Sequence, residues 1–399
     1  MDCTFAMNFR VVNEARMNQV SDLWDYCFEK KDEPFFQYYF DQYCGKNNMV
    51  IGGFEEIDNW EYLRCMLHVN PYMLKLRQKN QFIPYIVGVA TAPEARGQHL
   101  FRPLLETTFD VLRAQNVSFV TLKPINAGIY LPYEFSWCYF DHSYELPADK
   151  LTLPPAPMLP CQRHELKAEL LAPIYESVTA SWNGVPIRTD FQWQKLLTVC
   201  GMENTQCVVV YEDNQASGYM LYQLQNGCFN IFELLAKTAA AKNRLLHYAA
   251  QHKSEAPTIK WLAPEWDTTY LNFKDQAFSG SYEPFMMARC LNARQALVET
   301  AVPEDMPQDT LVLLLTDSVI KYNNHLLKLK TAPGKMEVVT TADEEEITMN
   351  MAAFTQMYFG AYTATELFEA GLIRCKNAAK LALLDTLFPK TKNWINEYF

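Results

Sequence analysis

Ile83-Pro-Tyr-Ile-Val-Gly-Val-Ala-Thr-Ala-Pro93-Glu-Ala-Arg96-Gly97-Gln98-His99-Leu-Phe101-Arg-Pro-Leu104-Leu-Glu-Thr-Thr-Phe109-Asp-Val-Leu-Arg113 holds three local structures in a row. An apolar, β-branched run reaches Pro93 and has the pattern of a buried strand. Arg96-Gly97-Gln98 is a short basic and glycine turn. Leu104, Leu105, Phe109 and Leu112 then recur at helical spacing. Strand, turn and helix in this order aim free backbone N–H groups, and the positive end of a helix dipole, at one point. Such a point suits an anion, of which diphosphate is the commonest biological example. The same arrangement occurs in many α/β proteins, so alone it specifies little.

Outward from this segment, residues 8–145 read as one α/β unit. Helical patterns cover residues 14–29 and 33–43, and strands are expected at 49–54 and once or twice within 62–76. Past Arg113 come a strand at 118–122, a short helix at 127–133 and a strand at 137–144. Leu151-Thr-Leu-Pro-Pro-Ala-Pro-Met-Leu-Pro-Cys161 is rich in proline, whose fixed φ prevents either regular structure, and it marks the clearest boundary. Beyond it, helices at 165–182 and 188–200 precede strands at 207–212, 218–223 and 228–235. A helix at 238–252 and a strand at 258–262 complete an echo of the first unit. This second helix opens on Ala236-Lys-Thr-Ala-Ala-Ala-Lys242, without an arginine and glycine turn. A duplicated fold with one working site is the simplest account.

From about Met286 the texture changes again. A helix at 292–299 and strands at 310–316 and 326–329 are expected. The acidic run Asp343-Glu-Glu-Glu346 reads as a helix start stabilised by its dipole, leading into a helix over 347–354. Residues 378–388 are amphipathic. The chain finishes Asn393-Trp-Ile-Asn-Glu-Tyr-Phe399, a tail apolar enough to be buried where most termini are polar and loose.

A length of 399 residues suggests two or three domains, and 49% hydrophobic residues can fill their cores. No apolar run approaches the ~20 residues of a membrane span, and Met1-Asp-Cys-Thr-Phe-Ala-Met lacks the pattern of an export signal. Eleven cysteines form no CxxC pair, so buried thiols in a reducing cytoplasm fit better than disulfides or zinc. The seven histidines lack metal spacing, so no metal is expected. A net charge of −11 leaves no basic stripe for nucleic acid. It would attract cationic substrates, although acidity also serves solubility alone.

Soon after the strand at 118–122 comes Lys123-Pro-Ile125-Asn126-Ala-Gly128-Ile-Tyr130-Leu-Pro-Tyr-Glu-Phe135. Strand, R-x-x-G-like turn, helix, strand, and then Ile-Tyr before an aromatic strand resembles the GNAT acyltransferase superfamily. More narrowly, the chain is similar to the Eis (enhanced intracellular survival) branch along its whole length. Gly128-Ile-Tyr130 paired with a chain ending Glu-Tyr-Phe399 carries the resemblance most specifically, beside Tyr358-Phe-Gly-Ala-Tyr362 and Leu384-Asp-Thr-Leu-Phe388. The resemblance implies an α+β (mixed α/β) fold, with two GNAT domains in tandem followed by a sterol-carrier-protein-like C-terminal domain. The expected bounds are 1–150, 151–285 without a cofactor, and 286–399. It also implies a cytoplasmic hexamer that uses acetyl-CoA to N-acetylate an aminoglycoside, polyamine or lysine-like amine by direct attack.

On that resemblance, Val89, Ala90 and Thr91 would offer backbone groups to the pantetheine arm. Arg96, Gly97, Gln98, His99, Leu100, Phe101 and Arg102 would hold the diphosphate, and Ile125 and Asn126 would flank the thioester. Tyr130, a phenol with pKa ~10, could protonate the leaving thiolate, since free thiols titrate near ~8.5. The base would be the terminal carboxylate of Phe399. At pKa ~3.5 it is weak against an ammonium near ~10, so it would act through water or on an amine bound neutral. Plainer readings stand beside these: a core tyrosine at 130 and a hydrophobic anchor at 399.

The turn departs from the superfamily pattern. His99 stands where a glycine lets backbone approach phosphate, and Phe101 where a second small residue is usual. Either the imidazole turns outward or donates to a phosphate, or cofactor binding is weakened or lost. The last case would leave a non-catalytic binding module, and a transferase using another acyl donor is a further rival. The aromatic cluster Phe35-Phe36-Gln-Tyr-Tyr-Phe40 with Tyr43 reads as helix core, some of whose rings could face an acceptor.

Overall fold

The computed structural model describes residues 7–155 and 159–397. In chain order it begins β1 (Met7–Val11), α1 (Met17–Cys27), α2 (Pro34–Tyr38), β2 (Met49–Ile57), β3 (Trp60–Asn70), β4 (Met73–Leu76) and β5 (Lys79–Phe82). Next come β6 (Tyr85–Thr91), α3 (Phe101–Ala114), β7 (Phe119–Leu122) and β8 (Ser136–Pro147). The middle holds β9 (Cys161–His164), α4 (Ala168–Thr179), β10 (Val185–Pro186), α5 (Asp190–Met202), β11 (Gln206–Glu212), β12 (Gln215–Gln225), β13 (Cys228–Ala236), α6 (Ala239–Ala250) and β14 (Thr258–Pro264). The last part holds β15 (Ser281–Cys290), α7 (Ala293–Val298), β16 (Asp309–Thr316), β17 (His325–Ala332), β18 (Lys335–Thr340), β19 (Ile347–Asn350), α8 (Met351–Phe359), α9 (Ala364–Glu369), β20 (Ile373–Cys375) and α10 (Ala379–Leu387).

These elements gather into two compact units. The first comprises the chain up to Cys138, then Met286–Thr391, and resumes at Glu397; the second is Tyr139–Phe285 with Lys392–Asn396. The polypeptide therefore changes unit inside β8, again inside β15, and twice near its end. In the first unit β1, β2, β3 and β6 run antiparallel in that order, β7 lies parallel to β6, and β15 antiparallel to β7. A separate five-stranded sheet has the order β18-β17-β16-β19-β20. α3 buries Leu104, Leu105, Thr108, Phe109 and Leu112, the stripe expected from the sequence.

In the second unit, β9, β11, β12, β13, β14 and β8 are successive neighbours, with only β13 and β14 parallel. Alternation along β11 builds two cores. Val208 and Val210 join Leu245 and Leu246 of α6 on one face, while Val209 joins Leu171 of α4 and Trp193 of α5 on the other. Leu151 is buried in the α6-side core, and Leu153, Leu159 and Cys161 pack against it. The described parts of the proline-rich segment are thus attached to this unit.

Two expectations need correction. Residues 347–350 are strand β19, and the helix starts only at Met351. The acidic run therefore caps no helix. Instead Asp343 pairs with Lys328, Glu344 and Glu345 with Lys376, and Glu346 accepts from the Val312 N–H at 2.9 Å. The helix expected over 165–182 spans only Ala168–Thr179, with Pro173 tolerated inside it.

Candidate active site

The site begins with a bulge. Across β3 and β6, Met66 pairs with Ala90 and His68 with Val87, so Gly88 and Val89 both face Leu67. Gly88 has φ +57°, and a β-carbon there would lie 2.3 Å from the Trp24 ring. Only glycine fits. β6 pairs with β7 at Tyr85–Thr121 and Ile86–Leu122 and nowhere beyond. Past the bulge the two parallel strands part, and Val89, Ala90 and Thr91 lie on the open arm.

The chain then makes a 3-10 turn at Pro93–Ala95 and passes through Gly97 at φ +78° and His99 at φ +56°. Leu100 is buried and caps α3 without a side-chain bond. Among the described residues, no backbone N–H from Gly97 to Arg102 donates to a protein acceptor. These six consecutive N–H groups run from the turn into the first turn of the 14-residue α3, a cradle-like arrangement that can hold an anion. His99 itself holds a left-handed backbone, at a cost of about 1 kcal/mol, and its ring is exposed. Of the other predicted contacts, Arg96 donates to the Thr91 carbonyl at 3.3 Å, Gln98 to the Glu94 carbonyl at 3.3 Å, and Arg102 pairs with Glu106 at 2.9 Å on the surface.

Asn126 accepts from the Gly128 N–H at 2.9 Å and starts the 3-10 turn Ala127–Ile129 that presents Tyr130. Ile125 projects outward, 97% exposed. Tyr130 is 9% exposed, and its ring meets Phe101 edge-on at 5.6 Å and Phe135 at 5.8 Å. Phe101 therefore has a use that a small residue would lack. No described residue hydrogen-bonds the Tyr130 hydroxyl, and burial raises its pKa, so it stays protonated and able to donate.

Phe399 lies outside the described residues, as does Tyr398. The last described residue, Glu397, is 4% exposed in the first unit and accepts from the Tyr72 hydroxyl at 3.3 Å. The tail before it belongs to the second unit. There Trp394 meets Trp182 at 5.3 Å, Asn183 donates to Asn393 at 2.7 Å, and Asn396 donates to the Phe232 carbonyl at 2.9 Å.

The early aromatic helix is mostly core: Phe36, Tyr39 and Tyr43 are buried. Sequence reasoning missed the knot that Tyr39 serves. Its hydroxyl lies 2.8 Å from His68 Nδ1, and Asn48 Nδ2 donates to it and to Asn70 Oδ1, each at 2.9 Å. His68 alternates with Asn70 on one face of β3, which was the available signal. Among the described residues no cluster of His, Cys, Asp or Glu could hold a metal, and no helix is long and apolar enough to cross a membrane.

The second unit repeats the parted strands but not the cradle. β13 and β14 pair from Cys228–Thr258 to Ile231–Trp261 and then separate around a cavity of about 200 Å³ lined by Trp182, Leu234, Leu262 and Trp266. Its turn satisfies itself: Lys237 N–H donates to the Ser217 carbonyl at 2.8 Å and Ala241 N–H to Thr238 Oγ1 at 3.0 Å.

Residues 8–138 and 184–290 match two models of an acetyltransferase (GNAT) domain, and residues 288–396 match a sterol carrier protein domain. The chain is a GNAT-type acyltransferase with an Eis-like fold. This acyltransferase superposes on a probable N-acyltransferase of Enterococcus faecalis V583 with TM-score 0.87 at 19% identity, covering 99% of this chain and 100% of that one. A GCN5-related N-acetyltransferase from Anabaena variabilis gives 0.83 at 18%, covering 99% and 100%. Eis1 from Mycobacterium abscessus gives 0.75 at 16%, again covering 99% and 100%. At such identities the likeness is one of fold. No match is found among curated protein sequences.

Proposed function

We propose that this acyltransferase moves an acetyl group from acetyl-CoA to a primary amine by direct attack. The observation that carries the reading is the run of six N–H groups, Gly97 to Arg102, that find no protein acceptor among the described residues, beside the open arm of β6. The cradle takes the diphosphate, with Arg96 and Arg102 adding charge at its rim. Val89, Ala90 and Thr91 receive the pantetheine as an extra strand would be received, and Ile125 and Asn126 flank its thioester end. The amine nitrogen attacks the thioester carbon, the C–S bond breaks, and the sulfur takes the Tyr130 phenolic proton. The proton lost by the nitrogen passes to the Phe399 carboxylate, directly or through water. Glu397, held in the first unit two residues earlier, supports that assignment.

The domain bounds 1–150, 151–285 and 286–399 come from the Eis resemblance, with the second compact body already beginning at Tyr139 inside β8; the self-satisfied turn beside β13 and β14 supports a middle domain without a cofactor. The net charge of −11 suits a cationic acceptor such as an aminoglycoside, a polyamine or a lysine side chain. A cytoplasmic hexamer working without a metal completes the reading drawn from the Eis resemblance.

Titration with acetyl-CoA in a calorimeter tests the cradle: absence of binding at millimolar concentration would leave a non-catalytic module. Product mass analysis over a panel of acyl donors separates acetyl from longer groups. Tyr130→Phe is expected to lower kcat at least tenfold while the acetyl-CoA dissociation constant stays within about twofold. Adding residues after Phe399 is expected to lower turnover, and an unchanged rate would remove the carboxylate from the mechanism.

A further inference from the structure

α8 is nine residues long, and seven of them are buried. Both of its ends are held by ionic side chains from the first part of the chain, inside the same unit. At its start, the Met351 N–H donates to Glu134 Oε2 at 2.9 Å, while Glu134 Oε1 accepts from the Ser318 N–H and hydroxyl, each at 2.6 Å. At its end, Arg77 donates to the Tyr358 carbonyl at 2.7 Å and to the Met357 and Pro389 carbonyls at 2.8 Å. A carboxylate at the N-terminus and a guanidinium at the C-terminus each match the helix dipole.

A second observation points the same way. Glu134 has φ +60° and Arg77 φ +51°, a region where glycine is easier and long side chains are uncommon. Both are nonetheless nearly buried, at 9% and 8% exposure. Neither position is occupied for the comfort of its backbone.

Glu134 ends the 3-10 turn Leu131–Tyr133 that follows Tyr130 directly. Its neighbours are tied down as well. Arg289 donates to the Tyr133 carbonyl at 2.8 Å and to Asp317 at 2.6 Å, Ser136 donates to the Ala352 carbonyl at 3.0 Å, and Gln356 to the Trp137 carbonyl at 3.3 Å. Arg77 sits at the tip of the β4–β5 hairpin, whose first strand follows Tyr72, the donor to Glu397. One helix therefore fixes the loop of the phenol at one end and the hairpin that leads to the tail at the other.

We propose that α8 is a strut of the transferase site, with Glu134 and Arg77 as positioning residues for Tyr130 and for the Tyr72–Glu397 contact. The proposal rests on the reading of Tyr130 as the acid. On this account the C-terminal segment serves acyl transfer mechanically, by setting where two parts of the first segment stand.

The test uses the full chain, hydrogen exchange read by mass spectrometry, and steady-state rates with acetyl-CoA over an amine panel. Glu134→Gly suits the left-handed backbone and removes the whole side chain with its carboxylate; Glu134→Gln, which keeps the shape and removes only the charge, is the second variant should the first not fold. Faster exchange across residues 127–137 is expected, with kcat down tenfold or more and KM for acetyl-CoA within twofold. Glu134→Asp is expected to recover most of the rate. Arg77→Gly is expected to speed exchange in residues 72–82 and to lower kcat likewise. Unchanged exchange in both glycine variants overturns the strut whatever the rates do. Faster exchange with unchanged kcat, where Tyr130→Phe does lower kcat, overturns the positioning role. A Tyr130→Phe protein at full rate counts against the acid assignment instead, and exchange alone then decides the strut.

Discussion

His99 carries a left-handed backbone that glycine would adopt freely, at the mouth of the N–H cradle. His99→Gly is expected to tighten acetyl-CoA binding several-fold, as a calorimetric titration would read, because the turn then approaches phosphate without a side chain in the way. His68 is a different case. It is fully buried against Tyr39 and Trp24, and burial pushes its pKa down to about 3. A pKa depressed below the unfolded value means that, as pH falls below ~6.5, the unfolded chain binds a proton the folded chain refuses. Stability should fall by up to about 1.4 kcal/mol per pH unit between ~6.5 and about 3 on this account. Urea unfolding at several pH values should show a shallower slope for His68→Gln. Gly97, His99 and Tyr130 could be singled out from sequence because their signals are local. Glu134 and Arg77 could not, because their partners are remote, 281 residues away for Arg77 and Tyr358.

At the scale of single elements, the bulge in β6 lies where its pairing with β7 has ended. Gly88→Ala would add a β-carbon 2.3 Å from Trp24 at φ +57°. A loss of about 2–4 kcal/mol is expected in thermal unfolding, together with weaker acetyl-CoA binding as the arms close. Period-3.6 and period-2 patterns in the sequence located α3, α6, β11 and β13 to within a few residues, because each packs one face on a core. Local charge misled at the acidic run. Ile347 and Met349 are buried while Thr348 and Asn350 are not, and that alternation marked β19 more reliably than the glutamates marked a helix. The bulge itself had no sequence signal beyond a glycine in an apolar run.

For the whole molecule, pairing between distant segments dominates. In the second unit Arg188 and Glu233 form a two-pronged pair at 2.8 and 2.7 Å, with both side chains 1% exposed, and Asn396 donates to the same carboxylate at 3.0 Å. Arg188→Met would strand a buried carboxylate and is expected to cost about 3–5 kcal/mol in urea unfolding, largely recovered by adding Glu233→Leu. Texture changes along the sequence suggested three segments, and three family matches follow the same order. What composition could not reveal is that the first and last segments share one compact body. Contacts of that kind depend on how strands interleave, not on what any stretch is made of.

The crossings inside β8 and β15 have a practical consequence for anyone cutting this gene. No single scissor point frees either body as a continuous ribbon, because each is sewn from pieces that lie on both sides of the other. A clone trimmed to residues 8–138 would carry the Gly97–Arg102 turn and Tyr130 yet omit the partners of Glu134 and Arg77. It should be recovered as an insoluble fragment, whereas a protease nick in the proline-rich segment should leave the two halves travelling together.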